Sequence, residues 1–298
     1  MQADPRFFLG VDGGATRCRA RLRDADGAFL AEADGPAANV YVDFEGAIAT
    51  GRAQIDAICA KAGLAAADRA RLALGLGLAG LSSADDAKRV EARFEGLAGV
   101  RAANDAVTAC RGAHGGADGA LVISGTGSAA IARVRGREIV IGGRGFLIGD
   151  DGSAARVGAD AVRAALRAHD RLGPTSPMTQ EVMRRFRDDP LVAIKWAISA
   201  KPSGYGAFSP LVFERAREGD EIALAIVRAA ARAVDALIRA VEALGAERIA
   251  IVGGLSGAIR PYLEAASQAA LRPPLFDAAD GAILLAGGVL PASESAER

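Results

Sequence analysis

Two glycine-rich turns, roughly a third of the chain apart, hold the residues best suited to gripping an anion. The first lies in Phe8-Leu9-Gly10-Val11-Asp12-Gly13-Gly14-Ala15-Thr16-Arg17-Cys18 and the second in Leu121-Val122-Ile123-Ser124-Gly125-Thr126-Gly127-Ser128-Ala129-Ala130-Ile131. A glycine turn lets backbone N–H groups approach an anion without interference from Cβ, and Thr or Ser hydroxyls add donors. Both read as phosphate-binding β-hairpins. Neither carries the lysine of a P-loop, and neither is a full GxGxxG leading into a helix, which argues against a Rossmann site.

Three aspartates stand at expected strand ends or beside glycines: Asp12, Asp105 and Asp150. Ligands collect at the carboxyl ends of strands in α/β sheets, where Asp12 and Asp105 fall. Asp12, just before the first turn, is placed either to hold Mg²⁺ through water against nucleotide phosphates or to close an Asx-turn. Asp105 is either a carboxylate aimed at a ligand or the N-cap of the helix through Thr108 and Arg111. Asp150 reads as a ligand-binding residue or as the cap of the helix that follows, roles that are compatible, while Asp151 reads as a cap or surface residue.

The elements that position these groups follow from periodicity. Each glycine turn is followed by an outgoing strand, a polar turn (Arg23 to Gly27, then Arg135 to Arg137) and another strand, a duplication that predicts two related lobes with a nucleotide between them. A helix is expected over about Phe44 to Ala62, a buried strand over Arg71 to Leu78, and a helix over about Asp85 to Phe94 capped by Ser82 or Ser83. A short strand from about Val100 to Ala103 then ends at Asn104-Asp105. Gly112 to Gly119 reads as a linker, and Gly149 to Ser153 opens a long helix to about Ala168. Prolines 174, 177, 190, 202 and 210 break the next stretch into short helices. Asp220 to Leu244 is a core helix, with Arg232, Asp235 and Arg239 expected on its solvated face. A strand from Glu247 to Val252 meets Gly253-Gly254, and a last helix runs from about Asp280 to Leu290 before the tail from Ser293 frays.

Composition narrows the function classes. With 298 residues, 51% of them apolar, the chain can build two medium domains. Lys plus Arg equals Asp plus Glu at 36 each and aromatics make up only 5%, so neither the basic footprint nor the stacking surface of a nucleic-acid binder is present. Apolar runs such as Leu72 to Leu81 are far shorter than the roughly 18 residues of a membrane span. No secretory leader is read at the N-terminus, and Cys18, Cys59 and Cys110 show no CxxC spacing, which together fit a cytoplasmic protein. His114, His169 and Trp196 read as structural residues.

The ordered set Asp12-Gly-Gly-Ala-Thr16, Asn39, Ala79-Gly80, Asn104-Asp105-Ala106, Ser124-Gly-Thr-Gly-Ser128, Gly142-Gly-Arg-Gly145, Gly149-Asp-Asp-Gly-Ser153 and Gly253-Gly254 resembles the N-acetylglucosamine and glucosamine kinases of the BadF/BadG/BcrA/BcrD-type ATPase family, within the actin, sugar kinase and heat-shock chaperone superfamily. The resemblance covers nearly the whole chain. It implies an α/β fold of two ribonuclease-H-like lobes, one of residues 1–112 with 280–298 and the other of 113–279. It also implies ATP and Mg²⁺ as cofactors, an amino sugar as substrate, no nucleic-acid or membrane partner, and a homodimer through the second lobe. On this likeness Asp12 belongs to the Mg²⁺ shell, and Gly13, Gly14, Thr16, Gly125, Thr126, Gly127 and Ser128 grip the phosphates. Gly253 and Gly254 approach the adenosine, Asp105 is the general base, and Asn39, Gly143, Arg144 and Asp150 line the sugar pocket with it.

Arg144 marks a departure, because eukaryotic N-acetylglucosamine kinases carry Trp in this turn. The Gly-Gly-Arg form, with Asn39-Val40 and Tyr205 to Pro210, resembles bacterial glucosamine kinases. Those place Glu after the Arg, where this chain has Gly145, so glucosamine and its N-acetyl form both stay open. Two other readings use the same nucleotide turns. One is an activator ATPase driving a partner enzyme through an iron–sulfur cluster, for which the cysteines lack ligand-like spacing; the other is a sensor without turnover.

Overall fold

A computed structural model describes residues 4–14 and 17–292. The chain divides into two compact units, Met1–Gly119 with Pro273–Arg298, and Ala120–Arg272. The sequence reading set the divisions at 112/113 and 279/280. The stretch around Asp277 packs with the first unit: a Cβ on Gly112 would come within 1.9 Å of the Asp277 carbonyl, and the N–H of Phe276 donates to the Gly112 carbonyl at 3.1 Å. His114, expected in an open linker, is buried at 2% exposure.

In the first unit, β1 (Phe7–Gly13), β2 (Arg17–Asp24), β3 (Phe29–Pro36), β4 (Leu72–Leu78) and β5 (Gly99–Asn104) form one sheet of order β3-β2-β1-β4-β5. The first three strands run antiparallel, and β4 lies parallel to β1 and β5. This is the ribonuclease-H-like arrangement expected. The alternation in β4, Leu-Ala-Leu-Gly-Leu-Gly-Leu, shows how sequence fixes the layers. Its leucines join the core beneath helix α1 (Phe44–Lys61). On the other face a Cβ on Gly75 would sit 1.8 Å from the Ala282 carbonyl, and one on Gly77 would sit 2.0 Å from the Thr108 hydroxyl. These glycines admit the closing helix (Ala278–Leu285) and helix α3 (Asp105–Ala113) onto the sheet. Helix α2 (Ala84–Glu91) is capped by Ser83, whose hydroxyl accepts from the Asp86 N–H at 3.1 Å.

The second unit repeats the plan. Strands β6 (Gly119–Ser124), β7 (Ser128–Val134), β8 (Arg137–Gly142) and β9 (Ile249–Val252) form a sheet of order β8-β7-β6-β9, with β9 parallel to β6. The β7–β8 turn places Arg135 and Gly136 at φ 52° and 73°, both in the left-handed region, as a tight hairpin requires. Helix α4 (Ala154–His169) starts at Ser153, whose hydroxyl accepts from the Arg156 N–H. Pro177, Pro190, Pro202 and Pro210 each stand in the first turn of a helix, α5 (Pro177–Arg185), α6 (Pro190–Ser199), α7 (Pro202–Gly206) and α8 (Ser209–Arg217), where a missing N–H costs nothing. Trp196 packs against the rings of Phe186, Tyr205 and Phe208.

Helix α9 (Glu221–Ala243) crosses this core and corrects one expectation. Asp235 is 1% exposed rather than solvated. Its carboxylate accepts the Glu264 N–H at 3.2 and 3.3 Å, and Arg239 pairs with the Glu264 side chain at 2.9 Å. Among the described residues no helix is long and apolar enough to cross a membrane.

Candidate active site

The first unit gathers Asp12, Gly13, Gly14, Asn39 and Asp105 at the carboxyl ends of three parallel strands. Gly13 of β1 pairs with Leu78 of β4, and Leu78 pairs with Asn104 of β5. Asp12 therefore precedes this row and Asp105 follows it. Burial pushes the Asp12 carboxyl up to about 6, helped by the negative charges of Asp105 and Asp277 and opposed by Arg19 and Arg17. Burial also raises Asp105, against the N–H groups of Ala106 and of Asp105 itself.

Asp105 is not the cap of α3. That position belongs to Asn104, whose Oδ1 accepts the Ala106 N–H at 3.0 Å while its Nδ2 donates to the Leu81 carbonyl at 2.9 Å. Asp105 is the first helical residue, its carboxylate accepting the same N–H at 3.0 Å and its carbonyl accepting the Thr108 hydroxyl at 3.0 Å.

The first turn is stitched to its neighbours. The Gly14 N–H donates to the Arg17 carbonyl, Ala79 N–H to Gly13, and Ala38 N–H to Gly14. A Cβ on Gly13 would lie 2.6 Å from Leu78 and 2.9 Å from Ala38, so the turn closes only with glycine there. Thr16 lies outside the described residues. Asn39 bridges to Ala79, and its Oδ1 accepts the N–H groups of Tyr41 and Val42 at 3.0 and 3.1 Å, an Asx-type turn that fixes this loop.

The second unit brings its own candidates together around β6 and β9. Gly253 has φ 105°, and a Cβ there would lie 2.4 Å from the Ser124 carbonyl. Gly125 in turn has the Gly253 Cα and the Gly254 nitrogen as its nearest neighbours, each 3.8 Å from where its Cβ would be. The turn hands on directly to α4: Ala154 N–H donates to Gly125 and Ala155 N–H to Thr126. Thr126 is exposed.

Ser128 stands differently from the expectation. It is 6% exposed, and its hydroxyl donates to the Asp151 carbonyl at 2.7 Å. Asp150, at φ 61°, places a carboxylate that accepts the backbone N–H groups of Ser128 and Gly145, and burial raises it. A Cβ on Gly127 would lie 2.8 Å from that carboxylate. The helix cap proposed for Asp150 or Asp151 is Ser153; Asp151 is a surface residue 3.6 Å from Arg156. Gly143, at φ 66°, donates to the Ser128 carbonyl, and Arg144 is exposed beside it.

Sequence reasoning quoted Ser124 and Gly152 within glycine-rich motifs without giving either a role, and missed Arg19 and Asp277. The fully buried Ser124 hydroxyl donates to the Gly152 carbonyl, tying the second turn to the α4 approach. Arg19 stands opposite Asp12 in the β1–β2 ladder and reaches Asp277 at 3.4 Å. Only strand register could have signalled Arg19, and the return of a distant segment carried no signal for Asp277.

Among the described residues no three His, Cys, Asp or Glu side chains cluster as a complete metal cage. The donor set suits Mg²⁺ held by Asp12 and otherwise by water and phosphate, because a cation offsets the repulsion of buried neighbouring carboxylates. The glycine turns at Gly13-Gly14 in the first unit and at Gly125 to Gly127 in the second are each of a kind suited to a phosphate group.

The model of the BadF/BadG/BcrA/BcrD ATPase family matches residues 9–286. The chain is 35% identical to the glucosamine kinase GspK of Vibrio cholerae, over 94% of this chain and 96% of that one. It is 31% identical to the N-acetyl-D-glucosamine kinase of Dictyostelium discoideum, over 79% of each. A crystal structure from Chromobacterium violaceum, provisionally assigned as an N-acetylglucosamine kinase, superposes with a TM-score of 0.87 at 34% identity, covering 95% of this chain and 99% of that one.

Proposed function

From this chain's membership of the BadF/BadG/BcrA/BcrD ATPase family, we propose that it is an ATP-dependent amino-sugar kinase, transferring the γ-phosphoryl group of ATP to the 6-hydroxyl of N-acetylglucosamine or glucosamine. The observation that carries the reading is the pair Asp12 and Asp105, two partly buried carboxylates at the carboxyl ends of parallel strands beside a glycine turn.

A sugar hydroxyl is a weak nucleophile, and phosphoryl transfer is catalysed mostly by positioning and by charge stabilisation. Asp105 is the general base: it accepts the 6-hydroxyl proton as that oxygen attacks phosphorus. Burial raises its basicity toward the working pH and so improves that transfer. Asp12 holds Mg²⁺, which when bound supplies the positive charge that offsets the phosphate oxygens. Gly13, Gly14, Thr16, Gly125, Thr126 and Gly127 bind the phosphates, chiefly through the backbone, with Ser128 bracing Asp150 from beneath. Gly253 and Gly254 take the adenosine. Asn39, Gly143, Arg144 and Asp150 orient the sugar, Asp150 accepting from its hydroxyls. A cytoplasmic homodimer that engages neither nucleic acid nor membrane completes this reading.

ADP release with ATP and Mg²⁺ should be followed over N-acetylglucosamine, glucosamine, glucose, N-acetylmannosamine and a no-sugar blank. Acceleration by an amino sugar is expected. Hydrolysis at one rate with and without sugar would point instead to an activator or sensor.

A further inference from the structure

The first turn of α4 anchors both halves of the second unit's candidate site. Its backbone serves the phosphate turn, the Ala154 N–H donating to the Gly125 carbonyl and the Ala155 N–H to that of Thr126. Its Arg156 side chain serves the loop from Gly142 to Asp150, where the proposed sugar residues Gly143, Arg144 and Asp150 stand. The Arg156 Nη2 donates to the carbonyls of Phe146 and Gly149 at 3.0 and 3.1 Å, and the guanidinium lies over the Phe146 ring, 5.4 Å from its centroid. Phe146 also packs on the Tyr205 ring, with centroids 5.0 Å apart.

These contacts bear on Asp150 through one peptide group. The Gly149 carbonyl and the Asp150 N–H share a planar peptide, so fixing that carbonyl fixes the plane from which Asp150 departs. Asp150 leaves it at φ 61°, in the left-handed region that a residue other than glycine enters at a cost. The Asp150 carbonyl is fixed in turn by the Ser153 N–H at 3.1 Å. With its backbone clamped on both sides, Asp150 presents a carboxylate that accepts the N–H groups of Ser128 and Gly145. It lies against the end of the phosphate turn, where a Cβ on Gly127 would come within 2.8 Å of it.

A surface ion pair does not account for the placing of Arg156. The carboxylate beside it, Asp151, is 75% exposed and stands 3.6 Å from Nε, which makes no hydrogen bond, and exposed pairs of this kind contribute little. Resting on the kinase reading, we infer that Arg156 is a positioning residue for sugar binding: by clamping the Gly149–Asp150 peptide it aims the Asp150 carboxylate at the sugar hydroxyls.

The experiment compares steady-state kinetics of the intact protein, Arg156→Ala, Asp150→Asn and the double variant, with whichever of N-acetylglucosamine and glucosamine the intact protein phosphorylates. Arg156→Ala should raise the sugar KM about tenfold and leave kcat and the ATP KM within about threefold, because a contact made alike in ground and transition states moves KM only. The double variant should stay within about threefold of Asp150→Asn alone in kcat/KM, since a clamp has nothing to aim once the carboxylate is replaced. Should Arg156→Ala not fold, Arg156→Lys carries the same test: it keeps the cation but not the planar fork over Phe146, and should raise the sugar KM about threefold. An unchanged sugar KM, a matching rise in the ATP KM, or additive losses in the double variant overturn the inference and leave the kinase reading standing. Phosphorylation of neither amino sugar by the intact protein overturns both.

Discussion

Burial raises the pKa of Asp12 and the negative charge of Asp105 raises it further, so these two candidate site carboxylates of the first unit are electrostatically linked before any ligand arrives. Their strands explain the proximity: Asp12 is the penultimate residue of β1, Asp105 begins the helix that leaves β5, and β4 lies between the two strands as a parallel neighbour of both. Such a pair is costly to hold in a folded chain and useful once a cation and a proton donor enter it.

That cost makes a prediction about stability. The native pKa of Asp12, about 6, lies above the ordinary 3.8. Between those values the folded chain holds more protons than the unfolded one, so the group's contribution to stability is lost as pH rises through that window. Asp12→Asn should therefore raise the melting temperature of the ligand-free protein by a few degrees at pH 8, where the penalty is at most about 2–3 kcal/mol, and by less at pH 5. Equal gaps at the two pH values would contradict the buried, charge-coupled Asp12. The same variant should lose the additional thermal stabilisation that Mg²⁺ gives the ATP-loaded protein.

Removing the base should separate binding from turnover. Asp105→Asn is expected to lower kcat for sugar phosphorylation by about 10²–10⁴-fold. The ATP dissociation constant, from calorimetry, should change less than threefold, since Asp105 is assigned to the hydroxyl rather than to the nucleotide. Parallel loss of both would make its role structural.

A third prediction concerns the closing helix, whose acidic start is held by a buried charge network. Asp280 is 3% exposed and accepts from Arg21 at 2.6 Å and Arg23 at 2.8 Å. Asp280→Ala should cost about 3–5 kcal/mol in urea unfolding, because it leaves buried guanidinium groups short of a partner. Less than 1 kcal/mol would mean that Asp277 and Glu32, which also pair with Arg21, suffice for it.

Close backbone packing gives a fourth. Gly75→Ala would drive a methyl to 1.8 Å from the Ala282 carbonyl, and a backbone atom cannot step aside as a flexible side chain can. A loss of about 3 kcal/mol or more is expected by denaturant titration, at the upper end of ordinary overpacking. A neutral substitution would show that the closing helix is free to shift.

Much of this was legible in the sequence, for identifiable reasons. Strand, glycine turn and strand recur because both sheets start with the same antiparallel meander, a local pattern that periodicity reveals. Asp12 and Asp105 stood out because strand ends can be read from apolar runs. Asp235 did not: helical spacing placed it among arginines, and only the arrival of the Glu264 N–H makes its burial tolerable. The sequence left Asp105 either as a cap or as a ligand-facing carboxylate because Asn104 and Asp105 are both good caps, and the Leu81 carbonyl that holds the Asn104 amide is distant in sequence. Gly10 and Gly75 read as ordinary strand residues and Gly112 as the start of a linker, since the closing segment that needs their missing Cβ atoms comes from the far end of the chain. The sugar-binding assignments rested on resemblance alone, because nothing in the spacing of Asn39, Gly143 and Arg144 names a sugar.

The most direct test of the central claim is to identify the product. Protein incubated with ATP, Mg²⁺ and N-acetylglucosamine or glucosamine would be analysed by phosphorus NMR and mass spectrometry. The expected result is a sugar phosphorylated on the 6-oxygen in amounts equal to the ADP formed. Inorganic phosphate and unmodified sugar, or phosphate on the anomeric oxygen, would contradict it.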